Sequence, residues 1–309
     1  MRRLAVLAVV AALAVTAHAP APVSAASVEE SIGVGGVWRT YVLHVPPTLP
    51  ASTPVPLLLM LHGGGGTGRQ MERLAGFSQL ADRAGSIAVY PDGVGRSWND
   101  GRGDPHITAQ RERIDDVAFI AALIGALSQR YRIDSRRVYV TGISNGGFMA
   151  QLLAARLSSR VVAIAPVAAG MGPSVAASLH PEQPVSVLVM NGTADPLVPY
   201  GGGPVARDRG ATIPTSEIVS KWAAVNRCAG NPTTVSLPDG NSADGSRVKV
   251  TTYSACAQRT EVVLYTIEGG GHTWPGGAQY LPARLIGPVN RDIDATEVIW
   301  RFFASHPRP

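Results

Sequence analysis

A chain of 309 residues, 45% hydrophobic and only 16% charged, can bury a large core, which excludes a disordered protein. Its net charge of +5 comes from scattered basic residues with no Lys/Arg run, so no nucleic-acid partner is expected. Neither of the two cysteines has a ligand partner at short spacing, so no metal site is expected on them.

In chain order, the first segment is a leader. Arg2 and Arg3 precede an unbroken apolar run over residues 4–15, and Val23-Ser24-Ala25 supplies the small residues a signal peptidase reads. A run of about a dozen residues is shorter than the roughly twenty a bilayer requires. Export, cleavage after Ala25 or Ala26, and no membrane attachment of the mature chain are expected, with residues 1–25 as signal peptide.

Beyond the leader, apolar runs alternate with helical periods. Residues 38–45 alternate and end at Pro46-Pro47, as an antiparallel strand does. Residues 56–61 are apolar without interruption, the pattern of a strand buried on both faces. Residues 87–90, 138–141, 162–165, 185–190 and 262–267 are similar runs. A helix is expected over 114–131, with Val117, Ile120, Leu123, Ile124 and Leu127 on one face and Asp115 or Asp116 as its cap. Another follows a glycine pair over 149–157. The last begins at Asp294, with Glu297 placed for a capping box. This alternation predicts a mostly parallel central sheet with helices on both faces. No repeat or linker divides residues 26–309, so one domain is expected. The long loops 92–110 and 199–214 are rich in Gly, Pro and Arg, and 231–247 reads as an exposed excursion. Cys228 and Cys256, an even pair in an exported chain, are expected to form a disulfide.

The strand over 138–141 runs into Gly142-Ile143-Ser144-Asn145-Gly146-Gly147 and then a helix. A G-x-S-x-G in that context places the serine on a sharp turn with its oxygen projecting above the sheet, which makes Ser144 the expected nucleophile. The N–H of Asn145, at a helix N-terminus, is aimed at the same space and suits a developing negative charge. The strand over 56–61 ends in His62 and the glycines 63–66, where a second oxyanion donor is expected, at Gly64 or its neighbour Gly65. His62 precedes the serine and is assigned a structural hydrogen-bonding role. The order Ser, acid, His then selects the remaining members. Asp195 stands beyond the strand over 185–190. His272 lies on the glycine-built loop after 262–267, and it alone of the downstream histidines follows the acid outside the tail. Asn191-Gly192-Thr193 forms a glycosylation sequon by chance at a buried strand end.

At these residues the chain resembles the polyhydroxybutyrate depolymerase-like esterases, which include secreted feruloyl and acetylxylan esterases. The stretches that carry the resemblance are LMLHGGGGTG, VYPDG, SWND, IDDVAFI, VYVTGISNGGFMA, NGTADPLVPY, NRCAG, YTIEGGGHTWPGG and IDATEVIWRFF, spread over nearly the whole mature chain. The resemblance implies an α/β-hydrolase fold, no cofactor, and hydrolysis of carboxylic esters by Ser144, Asp195 and His272. It also places Trp98, Asn99 and Trp274 in segments similar to substrate-facing loops. Extracellular polyester depolymerases carry a linker and a polymer-binding domain. None follows the last expected helix, which directs the expectation to soluble or polysaccharide-linked feruloyl and acetyl esters, with short hydroxyalkanoate esters as the alternative. Peptide cleavage and a non-catalytic binding role are the weaker rivals. Oligomeric state has no signature in the sequence.

Overall fold

The apolar runs pair into one ten-stranded sheet, with a separate two-stranded ribbon beside it. The structure is a computed structural model that describes residues 26–49 and 52–309. The expected leader, residues 1–25, lies outside the described residues. The strands are β1 (Val28–Val34), β2 (Val37–His44), β3 (Val55–Leu61), β4 (Ile87–Pro91), β5 (Ile133–Ile143) and β6 (Ala163–Val167). They continue with β7 (Ser186–Gly192), β8 (Gly203–Pro204), β9 (Ala211–Thr212), β10 (Thr233–Ser236), β11 (Arg247–Tyr253) and β12 (Val262–Glu268).

The main sheet runs in the order β1-β2-β4-β3-β5-β6-β7-β12-β11-β10. From β4 through β12 every neighbouring pair is parallel. The two flanks, β1-β2 against β4 and β10-β11 against β12, are antiparallel. Each apolar run read from the sequence lies in a strand of this sheet, overhanging its ends by one residue at most. β1, β10 and β11 escaped that reading because polar residues fill the edge strands β1 and β10 and the strand β11 beside the edge, and β10 is exposed along its length. The excursion over 231–247 thus contributes an edge strand. One signal for β1 was present: Gly35 and Gly36, at φ +58 and +80, form the two-residue turn joining β1 to β2.

Successive side chains on β3 enter opposite cores. Leu57, Leu59 and Leu61 join one cluster, while Leu58 and Met60 join the other. The first core is closed by Phe119, Ile120, Leu123 and Leu127 of helix Asp116–Arg130, with Trp222 of helix Thr215–Val225. The second is closed by Met71, Phe77 and Leu80 together with Ile299 and Phe303 of helix Ala295–Ser305. Burial on both faces is why these strands lack alternation. Asp115 caps helix Asp116–Arg130 by accepting from Ala118 N at 2.8 Å. Asp294 caps the last helix, but the carboxylate of Glu297 pairs with Arg83, leaving the expected box to Asp294 alone.

Cys228 and Cys256 form the expected disulfide across a sequence separation of 28. Closing a loop of that length stabilises the fold by about 3–4 kcal/mol through the unfolded chain's lost entropy. It ties the segment just after helix Thr215–Val225 to the segment that follows β11. The carboxyl ends of β3, β5, β7 and β12 all reach one rim of the sheet, where parallel α/β folds gather their ligands.

Candidate active site

The sequence forces a severe turn at the end of β5. Ser144 sits at φ 55, ψ −125, a conformation that costs a non-glycine residue strain and is held only by rigid surroundings. Those surroundings admit no side chains. A Cβ on Gly146 would stand 2.2 Å from Leu61 O, and one on Gly142 would stand 2.7 Å from Gly146 C. A Cβ on Gly147 would stand 2.4 Å from Ala169 Cβ, so this glycine lets helix Asn145–Arg156 close onto the sheet. Ser144 N donates to Val167 O at 3.0 Å, which ties the turn to the end of β6. The Ser144 hydroxyl makes no helix-cap bond, so its oxygen is not committed to the turn.

Asp195 and His272 meet on the same rim. His272 Nδ1 lies 2.7 Å from Asp195 Oδ2, and both side chains are buried. The other carboxylate oxygen accepts from Leu197 N at 2.8 Å and Val198 N at 2.9 Å, so the acid is fixed in orientation and stays an acceptor towards the imidazole. The loop that carries His272 is shaped by glycines. A Cβ on Gly271 would stand 2.2 Å from Ile286 O, and one on Gly192 would stand 2.2 Å from Gly270 O. His272 N donates to Ile286 O, and Tyr280 Oη donates to His272 O at 2.7 Å. Burial, with the nearby Asp195 charge adding to it, pushes the Tyr280 phenol up and keeps it a donor. Among the described residues the structure joins Asp195 to His272 and shows no hydrogen bond from the Ser144 hydroxyl to the imidazole. Such bonds are often long without substrate and shorten in the reacting complex.

Gly63 and Gly64 border the serine. A Cβ on Gly63 would lie 3.5 Å from Ser144 Cβ, and one on Gly64 would lie 3.8 Å from Asn145 Cβ. The amides further along are occupied, since Gly65 N donates to Arg96 O at 2.8 Å and Gly66 N to Gly63 O at 2.9 Å. Gly65 is therefore removed as an alternative donor, and Gly64 remains. The N–H of Asn145 opens its helix and has no intrahelical acceptor by position. His62 has the structural role expected of it. Its Nδ1 donates to Gly63 O at 2.8 Å while its Nε2 accepts from Gly93 N at 3.0 Å, which fixes one neutral tautomer. Burial holds its pKa below the ordinary value, partly offset by the Gly63 carbonyl.

Of the three residues placed in substrate-facing loops, Trp98 and Trp274 need correction. Trp98 is fully buried and donates through Nε1 to His62 O at 2.9 Å. Trp274 is 1% exposed, meets Phe77 edge to face, and donates to Thr296 Oγ1 at 3.1 Å. Asn99 gives its side-chain amide to Ile114 O at 2.8 Å and its backbone N–H to Asp116 Oδ2 at 2.7 Å. Both indole N–H groups are engaged inside the protein, so Trp98 and Trp274 are packing residues, whereas Asn99 stays half-buried. Trp98→Phe should then lower stability by about 1–3 kcal/mol, because it strands the buried His62 carbonyl. A thermal melt beside ester kinetics checks this: the loss should appear in the melting temperature and not in KM.

The structure also shows a network that sequence reading missed. Asp100 and Arg102 form a buried ion pair at 2.7 Å, with both side chains at most 3% exposed. Asp100 also accepts from Asn145 Nδ2 at 2.7 Å and from Gln110 Nε2 at 2.8 Å, and Asn145 Oδ1 accepts from Trp98 N at 2.8 Å. The side chain of the residue after Ser144 is thus locked to the loop over 92–110. Periodicity cannot reveal buried charges on a loop. The only signal was that loop's density of Asp, Asn and Arg beside tryptophan. Asn191, the sequon residue, is likewise buried, and its amide bridges Ala169 O and Thr215 Oγ1.

No group of three or more His, Cys, Asp or Glu side chains among the described residues is placed to hold a metal ion. No described helix is long and apolar enough to cross a membrane. A mostly parallel sheet, helices on both faces and a strained serine turn at its carboxyl rim define an α/β-hydrolase. The profile of the esterase PHB depolymerase family matches residues 39–193, and the chain belongs to that family. It is 35% identical over 292 residues to NocK of Nocardia uniformis subsp. tsuyamanensis, a protein whose name carries the word esterase. That match covers 88% of this chain and 81% of NocK. Feruloyl esterase B of Piromyces equi is 28% identical over 243 residues, covering 76% of this chain but 42% of that protein's length. The acetyl xylan esterase of Aspergillus awamori shares the fold, with a TM-score of 0.60 at 15% identity over 90% of this chain and 99% of its own. The protein is a carboxylic ester hydrolase.

Proposed function

We propose that this chain hydrolyses esters through an acyl-enzyme on Ser144. His272 takes the Ser144 proton as the oxygen attacks the ester carbonyl, then gives it to the leaving alcohol. Asp195 holds the imidazole by its Nδ1 and stabilises the cation that forms. The N–H groups of Gly64 and Asn145 receive the oxyanion, and loss of one such donor typically costs about 3–4 kcal/mol in the transition state. Water attacks the acyl-enzyme by the same route, with His272 again as base. The observation that carries this reading is the buried 2.7 Å contact between Asp195 and His272 on the rim that bears the strained Ser144.

The preferred substrates are feruloyl or acetyl esters of plant polysaccharide, a reading supported on the feruloyl side by the name of the Piromyces relative. Short hydroxyalkanoate esters are the second reading, favoured by the family that matches residues 39–193. Residues 26–309 act as one catalytic domain, exported by way of the leader. Methyl ferulate, acetylated xylan, hydroxybutyrate oligomers and a peptide amide, assayed side by side, test these choices. Highest kcat/KM on the first two supports the polysaccharide reading, and highest on the oligomers reverses the preference. Amide cleavage without ester cleavage overturns the class.

A further inference from the structure

Arg209 stands over the turn that the reacting carbonyl must approach. Its Nη1 lies 3.9 Å from where a Cβ on Gly64 would be, on the side that also faces Asn145. The backbone behind this charge is fixed. Arg209 N donates to Val205 O at 3.2 Å, and Arg209 O accepts from Arg102 Nη1 at 3.1 Å. Arg102 is immobilised by its ion pair with Asp100 and by stacking 4.0 Å over the Phe148 ring. Gly210, at φ +76, brings the chain close enough that a Cβ there would stand 3.2 Å from Arg102 Cβ.

The two arginines differ in what their charges meet. Arg102 is buried and neutralised by Asp100. Arg209 is exposed and has no carboxylate partner among the described residues, and the adjacent Asp208 forms no ion pair with it. An uncompensated guanidinium at the mouth of a reacting centre attracts anions and offers a carboxylate two parallel donors.

We propose that Arg209 sets substrate choice by favouring esters that carry a carboxylate within a few bonds of the scissile carbonyl. The chemical class includes half-esters of dicarboxylic acids, esters of hydroxy acids with a free carboxylate, and esters on uronic-acid-bearing saccharides. The proposal rests on the reading of Ser144 and Gly64 as the reacting centre.

Two matched pairs test it. Monomethyl and dimethyl succinate differ in a carboxylate on the acyl side; 4-acetoxybenzoate and 4-acetoxybenzamide differ on the alcohol side. The quantity read is the ratio of kcat/KM for the anionic member to that for the neutral one, in the wild type, Arg209→Ala and Arg209→Lys. In at least one pair the ratio should fall about fivefold in Arg209→Ala and be largely kept in Arg209→Lys, as for one solvent-facing charge pair. Added salt should lower the wild-type ratio and leave that of Arg209→Ala flat. Ratios unmoved by Arg209→Ala in both pairs overturn the proposal while the esterase reading stands. Failure of the wild type to hydrolyse any of the four esters overturns both.

Discussion

Ser144→Ala is expected to lower kcat/KM on p-nitrophenyl acetate by about 10⁴- to 10⁶-fold, the loss seen when a nucleophile is removed from a serine triad. The fold should persist. The Ser144 hydroxyl caps no helix, and the backbone contacts of the turn, Ser144 N to Val167 O at 3.0 Å and Phe148 N to Ser144 O at 2.9 Å, do not involve it. Circular dichroism and a melt within a few degrees of wild type separate lost chemistry from lost structure. Retained turnover in a folded Ser144→Ala protein removes the nucleophile assignment.

Asp195→Asn is expected to lower kcat by about 10⁴-fold with a much smaller change in KM. Asp195 Oδ1 accepts from the amides of Leu197 and Val198, and an asparagine oxygen can keep both bonds. The amide nitrogen then faces His272 Nδ1 in place of an anion. It donates where an acceptor is needed, forces the wrong imidazole tautomer, and leaves the cation formed during attack without a counter-charge. A variant that melts like the wild type yet retains most of its kcat would show that Asp195 only shapes the turn.

The parallel core of the sheet was legible because burial on both faces leaves uninterrupted apolar runs, as in Leu57–Leu61, whose neighbours enter different cores. The turn at Ser144 was legible for a related reason. Gly142, Gly146 and Gly147 are required by backbone closeness, and such requirements leave a residue-level trace at fixed spacing. Chain order then selected Asp195 and His272. The edge strands were not legible, since a strand that buries little has no hydrophobic period to read. Trp98 and Trp274 show a different limit. Both lie beside the site in sequence, but whether an indole faces a pocket or a core depends on which neighbours close around it, here His62 and Phe77. The setting of the Asp100–Arg102 pair depends on their loop meeting Asn145, more than forty residues further along the chain. Gly64 was distinguished from Gly65 only when the Arg96 carbonyl was seen to take the Gly65 amide.

The account depends on Ser144 being a hydroxyl activated by His272. An alkyl fluorophosphonate, which phosphonylates only activated serines, tests this directly when intact-mass analysis is followed by peptide mapping. One adduct per chain on the peptide bearing Ser144, formed at a rate that collapses in His272→Ala and with loss of ester turnover in step, is the predicted result. An adduct on another residue, or full ester turnover by a chain that takes up no label, would contradict it.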